Sequence, residues 1–460
     1  MMHLRARTLA LCLVAVTVSA TYADAVRDDI VASVASDTSA HAMLVRLCDD
    51  FGGRLTGTAA NAGALDRLAD ELRELGLDPV REAFEMPGWH RGEDSVELLA
   101  PVNRPLRAAA LAYSTPHRAF EADVVDLGLG RAEDYVGKAV EGRVGLIDFG
   151  SPLSAAEFAK LAAERGVRAL LYLNRVAGGQ LLARTGSFQG RPLAVPVYTV
   201  TQEEGRWLQR LCGRGQTPRV RMVTRSRPEQ VETANLIVRF PGRSAETIIV
   251  GAHFDSWDLG QGAIDNGLGI AQLYALAKAL RNHDLPRSVE LIWFNGEELG
   301  LWGSRHQAER VGDRPIVAMI NLDMVGVPIA VNALGDASLV PALERWHDAR
   351  ATPLSKGVQN ENWFGSDHTP YQLAGVRAVT FNAPIDPDVV RYYHDTADTV
   401  DKVSVELVTA SSAVIAEVLL ALVHETELSA ERRSEMDTRA LFAAPALERR
   451  LRNSGLWRWR

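Results

Sequence analysis

Thr247-Ile248-Ile249-Val250-Gly251-Ala252-His253-Phe254-Asp255, continued by Gly262-Ala263-Ile264-Asp265-Asn266-Gly267 and the apolar Leu268–Leu280, is the stretch whose reading decides the fold. A short β-branched run that stops on polar residues reads as a buried strand, and the longer apolar run after it reads as a helix packed on that strand. Working outward, strands are expected at 235–240, 289–294, 316–322 and 378–381, and helices at 301–310, 339–350 and 405–423. Strands that alternate with helices predict an α/β domain with a mainly parallel central sheet flanked by helices. In such sheets ligands gather beyond the carboxyl ends of the strands.

The polar residues of this region fall at those ends. His253 and Asp255 follow the strand at 247–252, Asp265 follows in the next turn, Glu297 and Glu298 follow the strand at 289–294, and Asp323 closes the strand at 316–322. His394 lies beyond the last strand, in Tyr392-Tyr393-His394-Asp395-Thr396. Two histidines and three carboxylates suit two divalent ions that share a bridging carboxylate. Zinc is the expected metal, two ions per chain, although ligand type alone admits other divalent ions. Of two adjacent glutamates at a strand-to-helix junction, one can bind metal while the other faces a metal-bound water as general base. Asp255 is placed to accept the second ring N–H of His253 and fix its tautomer.

The remaining chain frames this region. Leucines at 65, 68, 72 and 75 predict a helix over 62–75, with Gly76 as its C-cap. From 104 to 227 the texture changes to short β-rich runs around a helix at 155–165, an inserted module whose acidic residues have no histidine partners for a metal. Arg5 and Arg7, the apolar run that follows and small-residue sites at Ala20 and Ala25 read as a secretory signal, so a secreted or periplasmic location is expected. No later segment reads as a stable membrane span, since the most apolar one, 413–423, is short and carries Glu417. A formal charge of −8 argues against nucleic acid as a partner. Three cysteines, of which Cys12 leaves with the signal, cannot form a disulfide framework, so any metal is held by histidine and carboxylate. The Arg-rich tail, 429–460, reads as a solvated helix. The expected segments are thus 1–25 signal, 26–103 and 228–428 the two parts of the main domain, 104–227 the insertion and 429–460 the tail.

His253-Phe254-Asp255-Ser256-Trp257-Asp258, Gly262-Ala263-Ile264-Asp265-Asn266-Gly267, Asn295-Gly296-Glu297-Glu298, Asn321-Leu322-Asp323-Met324-Val325-Gly326 and Tyr393-His394 together resemble metallopeptidase family 28. That family takes in bacterial zinc aminopeptidases, glutamate carboxypeptidase II and carboxypeptidase Q. Phe51-Gly52-Gly53-Arg54-Leu55-Thr56-Gly57 is similar to its N-terminal segment, and 104–227 to its protease-associated insertion. The resemblance implies a zinc-exopeptidase (phosphorylase/hydrolase-like) fold, with His253 and Asp323 on one zinc, Glu298 and His394 on the other, and Asp265 bridging. It makes Glu297 the general base. Asp367 and His368, in Gly365-Ser366-Asp367-His368-Thr369-Pro370, and Tyr393 become candidates for substrate contact. Asn266 departs from the family, where many members carry a second Asp.

The function these implications describe is a secreted two-zinc exopeptidase acting on peptides or dipeptides, as an aminopeptidase or dipeptidase, with a homodimer possible in such a fold. The alternatives are a carboxypeptidase, a receptor-like homologue that has lost activity, or a single-zinc transferase like glutaminyl cyclase. The presence of both His253 and Asp323 speaks against the last.

Overall fold

The structure is a computed structural model that describes residues 25–459, and the signal peptide expected over 1–25 falls, apart from its last residue, outside them. Eight strands make the central sheet: β1 (Val80–His90), β2 (Arg227–Phe240), β3 (Ser244–His253), β4 (Arg287–Phe294), β5 (Ile316–Asn321), β6 (Ala330–Asn332), β7 (Val358–Gln359) and β8 (Ala378–Asn382). Their order is β1-β2-β4-β3-β5-β8-β6-β7. The centre, β4-β3-β5-β8, is parallel throughout. Antiparallel pairings attach β1 and β2 on one side and β6 on the other, so the whole sheet is mixed.

Alternation sorts the strand residues between two cores. Leu236, Val238, Ile248, Val250, Leu291 and Trp293 face one side. Their neighbours Ile237, Ile249, Ile292 and Phe294 face the other, against Tyr371 and Val376. With both faces covered, the central strands can be apolar at nearly every position. The first face carries helices α1 (residues 25–36), α2 (Ser39–Phe51), α3 (Ala59–Glu74), α4 (Leu268–Leu280) and α5 (Val405–His424). Helix α4 is buried at all but one of its positions, as an all-round apolar helix must be. Helix α5 is longer than the 413–423 run suggested, and by length and composition it could cross a membrane. Here it is a core helix, with Val408, Ile415, Leu419 and Leu422 buried against the sheet layer.

A second eight-stranded sheet is built from Asp94–Ala100 to Arg219–Thr224. It starts ten residues earlier than the change in texture at 104, because Asp94–Ala100 pairs antiparallel with Arg219–Thr224. The Asp94 carboxylate also accepts from the Thr224 and Ser226 hydroxyls. Its helix Ala155–Glu164 opens with a capping box in which Ser154 and Glu157 satisfy each other's backbone amides. Cys48 and Cys212 are free thiols.

The tail forms two short, mostly exposed helices where one solvated surface helix is expected. Helices Glu435–Leu441 and Pro445–Asn453 dock onto the main domain through Phe442 and Leu451, which pack with Phe364 and Leu373. One buried leucine per two helical turns leaves too faint an apolar stripe for sequence to reveal.

Candidate metal centre

Because β3, β4 and β5 are parallel neighbours, their carboxyl ends open on one rim, and that rim collects the charged residues. His253 ends β3, Glu297 and Glu298 follow β4, and Asp323 follows β5. Asp265 sits in the irregular turn Ala263–Gly267 ahead of α4. His394 enters from a loop with a left-handed backbone, φ 57°.

The two Asp265 oxygens face different imidazoles: Oδ1 stands 3.0 Å from His253 Nε2, and Oδ2 stands 2.8 Å from His394 Nε2. Asp323 approaches the same nitrogen, with Oδ1 at 3.6 Å from His253 Nε2. On the side of His394 lies Glu298, with Oε2 at 3.1 Å. The residues therefore fall into two groups, His253 with Asp323 and His394 with Glu298, which share Asp265. Donor atoms of His253, Asp265 and Glu298 all come within 4.8 Å of one another. Glu297 belongs to neither group.

The charge balance of this rim calls for cations. Six carboxylates (Asp255, Asp265, Glu297, Glu298, Asp323 and Asp367) surround two imidazoles, and all but Asp323 are buried. Buried charges without partners are expensive. Asp265 Oδ1 and Glu298 Oε1 are buried and accept no hydrogen bond. Burial pushes Glu298 up to about 7, with Asp265 adding to it. Burial also raises Glu297 well above the carboxylate range, assisted by Glu298, Asp323 and Asp367. Burial opposes a charged His394, yet Glu298 and Asp265 overcome it and lift the imidazole to about 9. The donor set and its orphaned oxygens fit divalent ions held by nitrogen and oxygen, the chemistry zinc accepts.

The surrounding chain fixes each group. His253 Nδ1 lies 2.9 Å from the main-chain oxygen of Asp255, while the Asp255 carboxylate is 3.9 Å away. The expected carboxylate-to-imidazole bond is thus replaced by a carbonyl contact. The carboxylate instead accepts the amides of Glu297 (3.1 Å) and Glu298 (3.3 Å), so it sets the turn that aims both glutamates. Asp398 does the same for the Asp265 turn, accepting from Ile264 N at 2.7 Å and Asp265 N at 3.1 Å. Asn266 donates to Leu322 O (2.7 Å) and accepts from Met324 N (3.1 Å), bracketing Asp323. The amide at this position is therefore used on both its faces.

Two further supports lie in the quoted motifs, although the motifs alone do not show their contacts. Asn295 accepts from Thr56 Oγ1 (3.0 Å) and Asn61 Nδ2 (2.9 Å) and donates to Thr233 Oγ1 (3.0 Å), locking the turn before Glu297. Gly296 within that turn has φ 78°, and a Cβ there would come 2.6 Å from Met86 Sδ. Arg54 is wholly buried and donates to the carbonyls of Gln261 (2.6 Å) and Gly262 (2.9 Å), clamping the loop between His253 and Asp265. The second sheet also takes part: Ala183 O lies 2.7 Å from His394 Nδ1, and Ala183 N donates to His394 O at 3.0 Å.

Among the candidates for substrate contact, Tyr393 is partly exposed and stacks on His394 with ring centroids 3.6 Å apart. Asp367 and His368 have no exposed surface. His368 Nε2 meets Trp363 O at 3.0 Å, and both Asp367 oxygens are without hydrogen bonds. Their place is behind the rim, where Asp367 adds negative charge beside Glu297.

Known proteins share this arrangement of chain. The family model described as Peptidase family M28 matches residues 235–419. Aminopeptidase YwaD of Bacillus subtilis (strain 168) is 26% identical over 386 residues, 80% of this chain and 80% of that one. Leucine aminopeptidase 2 of Trichophyton equinum is 31% identical over 294 residues, 62% of this chain and 57% of the fungal protein, so that match spans little more than half of the relative. Among solved structures, a peptidase M28 precursor from Shewanella amazonensis SB2B superposes with a TM-score of 0.79 at 20% identity, covering 90% of this chain and 99% of that one. A Bacillus subtilis zinc aminopeptidase, BSAP, gives 0.69 at 23% identity over 86% and 97%. At these identities the structural likeness is one of fold.

Proposed function

The chain belongs to peptidase family M28, and from that premise we propose that this zinc-dependent exopeptidase is a two-zinc aminopeptidase acting on peptides or dipeptides with a free amino terminus. The observation that carries the two-zinc reading is Asp265, whose two oxygens each face a different imidazole. One carboxylate between two His-carboxylate pairs is the arrangement that a pair of ions requires. In this reading His253 and Asp323 hold one zinc, His394 and Glu298 hold the other, and Asp265 serves both. The aminopeptidase activity borne by the bacterial and fungal relatives favours the amino end of the substrate over the carboxyl end.

Zinc bound here supplies Lewis acidity, which polarises a peptide carbonyl and lowers the pKa of water from 15.7 toward about 7. Glu297 takes the proton of the attacking water and returns it to the leaving amine. Its buried surroundings suit the uptake step, because burial and the neighbouring carboxylates make the Glu297 carboxylate a stronger proton acceptor than an exposed one. Asp255 holds the Glu297 and Glu298 amides so that one glutamate faces substrate and the other the metal. Tyr393, stacked on His394, closes one wall.

The second sheet, from Asp94 to Thr224, is read as an inserted protease-associated-type module that narrows the approach to the rim. Export is proposed on the basic, apolar and small-residue segments at the amino end, and a relative named as a probable lipoprotein aminopeptidase favours the same compartment. The test is hydrolysis of matched peptides with free and acetylated amino termini, together with metal analysis. Cleavage of the free amine alone, with two zinc ions per active chain and loss of activity on chelation, is the expected result. Equal cleavage of the acetylated peptide reverses the choice of substrate end, and one ion per fully active chain removes the two-zinc mechanism.

A further inference from the structure

A cleft of about 450 Å³ runs between the second sheet, the segment before Asp367 and the docked tail. It is lined by Lys160, Arg184, Arg191 and Arg450, with Phe188 and Phe364 among its walls, and by no carboxylate. None of these four cations forms an ion pair among the described residues, although Arg and Glu or Asp pair frequently elsewhere on the protein. Arg184 lies over the Tyr172 ring at 5.6 Å and Arg450 over the Phe364 ring at 5.1 Å. Aromatic faces hold the guanidinium planes and leave their N–H edges free to donate. Burial and the positive charge of Arg184 together lower the Arg450 pKa, so the two guanidiniums are near enough to repel. Like charges gathered in a concave site raise the local potential and draw in an anion.

No residue of the metal centre lines the cleft, but chain neighbours link the two. Arg184 follows Ala183, whose carbonyl meets the His394 ring. The main-chain oxygen of Phe188 lies against Gly300, two residues past Glu298. Phe364 stacks at a tilt on Phe188, centroids 5.9 Å apart, three residues ahead of Asp367. The cleft volume is in the range of about 300–1,000 Å³ usual for ligand sites.

We propose that this cleft binds the carboxylates of an acidic peptide, so that substrates with Asp or Glu downstream of the residue removed are preferred; the substrate part of this inference rests on the aminopeptidase reading. Arg184 and Arg450 are its principal donors, and Lys160 and Arg191 add charge at its edge.

Binding is measured first, by fluorescence anisotropy of the full zinc-loaded chain with a labelled, N-acetylated Ala-Glu-Glu-Glu peptide and its Ala-Gln-Gln-Gln counterpart. The Glu peptide should bind about 3- to 10-fold more tightly, the size expected for a few exposed ion pairs. That margin should shrink as ionic strength rises from about 0.05 to about 0.5 M. The charge reversals Arg184→Glu and Arg450→Glu should each abolish or invert it, and the ratio of kcat/KM for free-amine Glu and Gln peptides should follow. Equal binding of the two peptides overturns the inference, as does a Glu preference that survives both reversals. Selective binding of the Glu peptide by a protein that cleaves no free-amine peptide would remove the aminopeptidase reading while supporting the cleft.

Discussion

Replacing Glu297 by Gln tests the proposed base apart from the proposed metal ligands. The side chain keeps its size and loses its capacity to take a proton, so kcat should fall by about 10²–10⁴-fold, roughly 3–5.5 kcal/mol of barrier. The structure adds a second, opposite effect. Burial, with Glu298, Asp323 and Asp367 nearby, disfavours an ionised Glu297, so a neutral amide relieves the crowding of negative charge. The metal-free Glu297→Gln protein should therefore unfold at the same temperature as the parent or a higher one, while zinc content stays at the parental value. Glu298→Gln should behave differently, because Glu298 Oε2 is 3.1 Å from His394 Nε2 and shares the donor cluster with His253 and Asp265. It should lose zinc as well as rate. The assay is zinc content by atomic absorption beside kcat on a free-amine peptide and thermal unfolding with and without chelator. Full activity in Glu297→Gln refutes the proton-transfer role; loss of zinc there, with Glu298→Gln intact, means that the two glutamates have exchanged places.

Asn266→Asp should destabilise the metal-free protein by about 1–3 kcal/mol or more, since a buried donor to Leu322 O is exchanged for an acceptor facing a carbonyl; chemical denaturation measures it, and a change below about 0.5 kcal/mol would show that the amide is not used as described. His368 gives a pH dependence: burial pushes its pKa down from 6.5 to about 4, so the unfolded chain binds more protons than the folded one between those values. Stability is then lost as the pH falls from about 6.5 to about 4, by about 3 kcal/mol. At constant zinc, His368→Gln should show a correspondingly shallower acid loss in denaturant titrations, and identical slopes would place the acid sensitivity elsewhere.

The strands and the rim were legible because both leave local marks. Apolar runs such as Ile248-Ile249-Val250 stop on charged residues, and the helix Leu268–Leu280 begins where expected. Asp255 could be placed in the site but not given its true contacts, since two residues of spacing do not say whether the carbonyl or the carboxylate turns to the ring. Asn61 lies 234 residues from Asn295, Ala183 lies 211 from His394, and both act by ordinary amide and carbonyl groups. Nothing in composition or periodicity singles out such a pairing. The resemblance makes Asp367 and His368 candidates for substrate contact, and only the folded chain shows that neither has exposed surface.

The two hydrogen bonds between Ala183 and His394 join parts of the chain that belong to different sheets. A ligand orientated by its own sheet would stay in place if the neighbouring lobe swung outward. Here the lobe carries the carbonyl that sets the His394 ring, and Asp395 beside it accepts Leu181 N at 2.6 Å. Any outward hinge must break these bonds before a wider entrance opens, and it leaves that imidazole free to rotate. In the proposed two-zinc reading, opening the entrance therefore also loosens the ion assigned to His394, so access for bulkier peptides and retention of metal trade against each other.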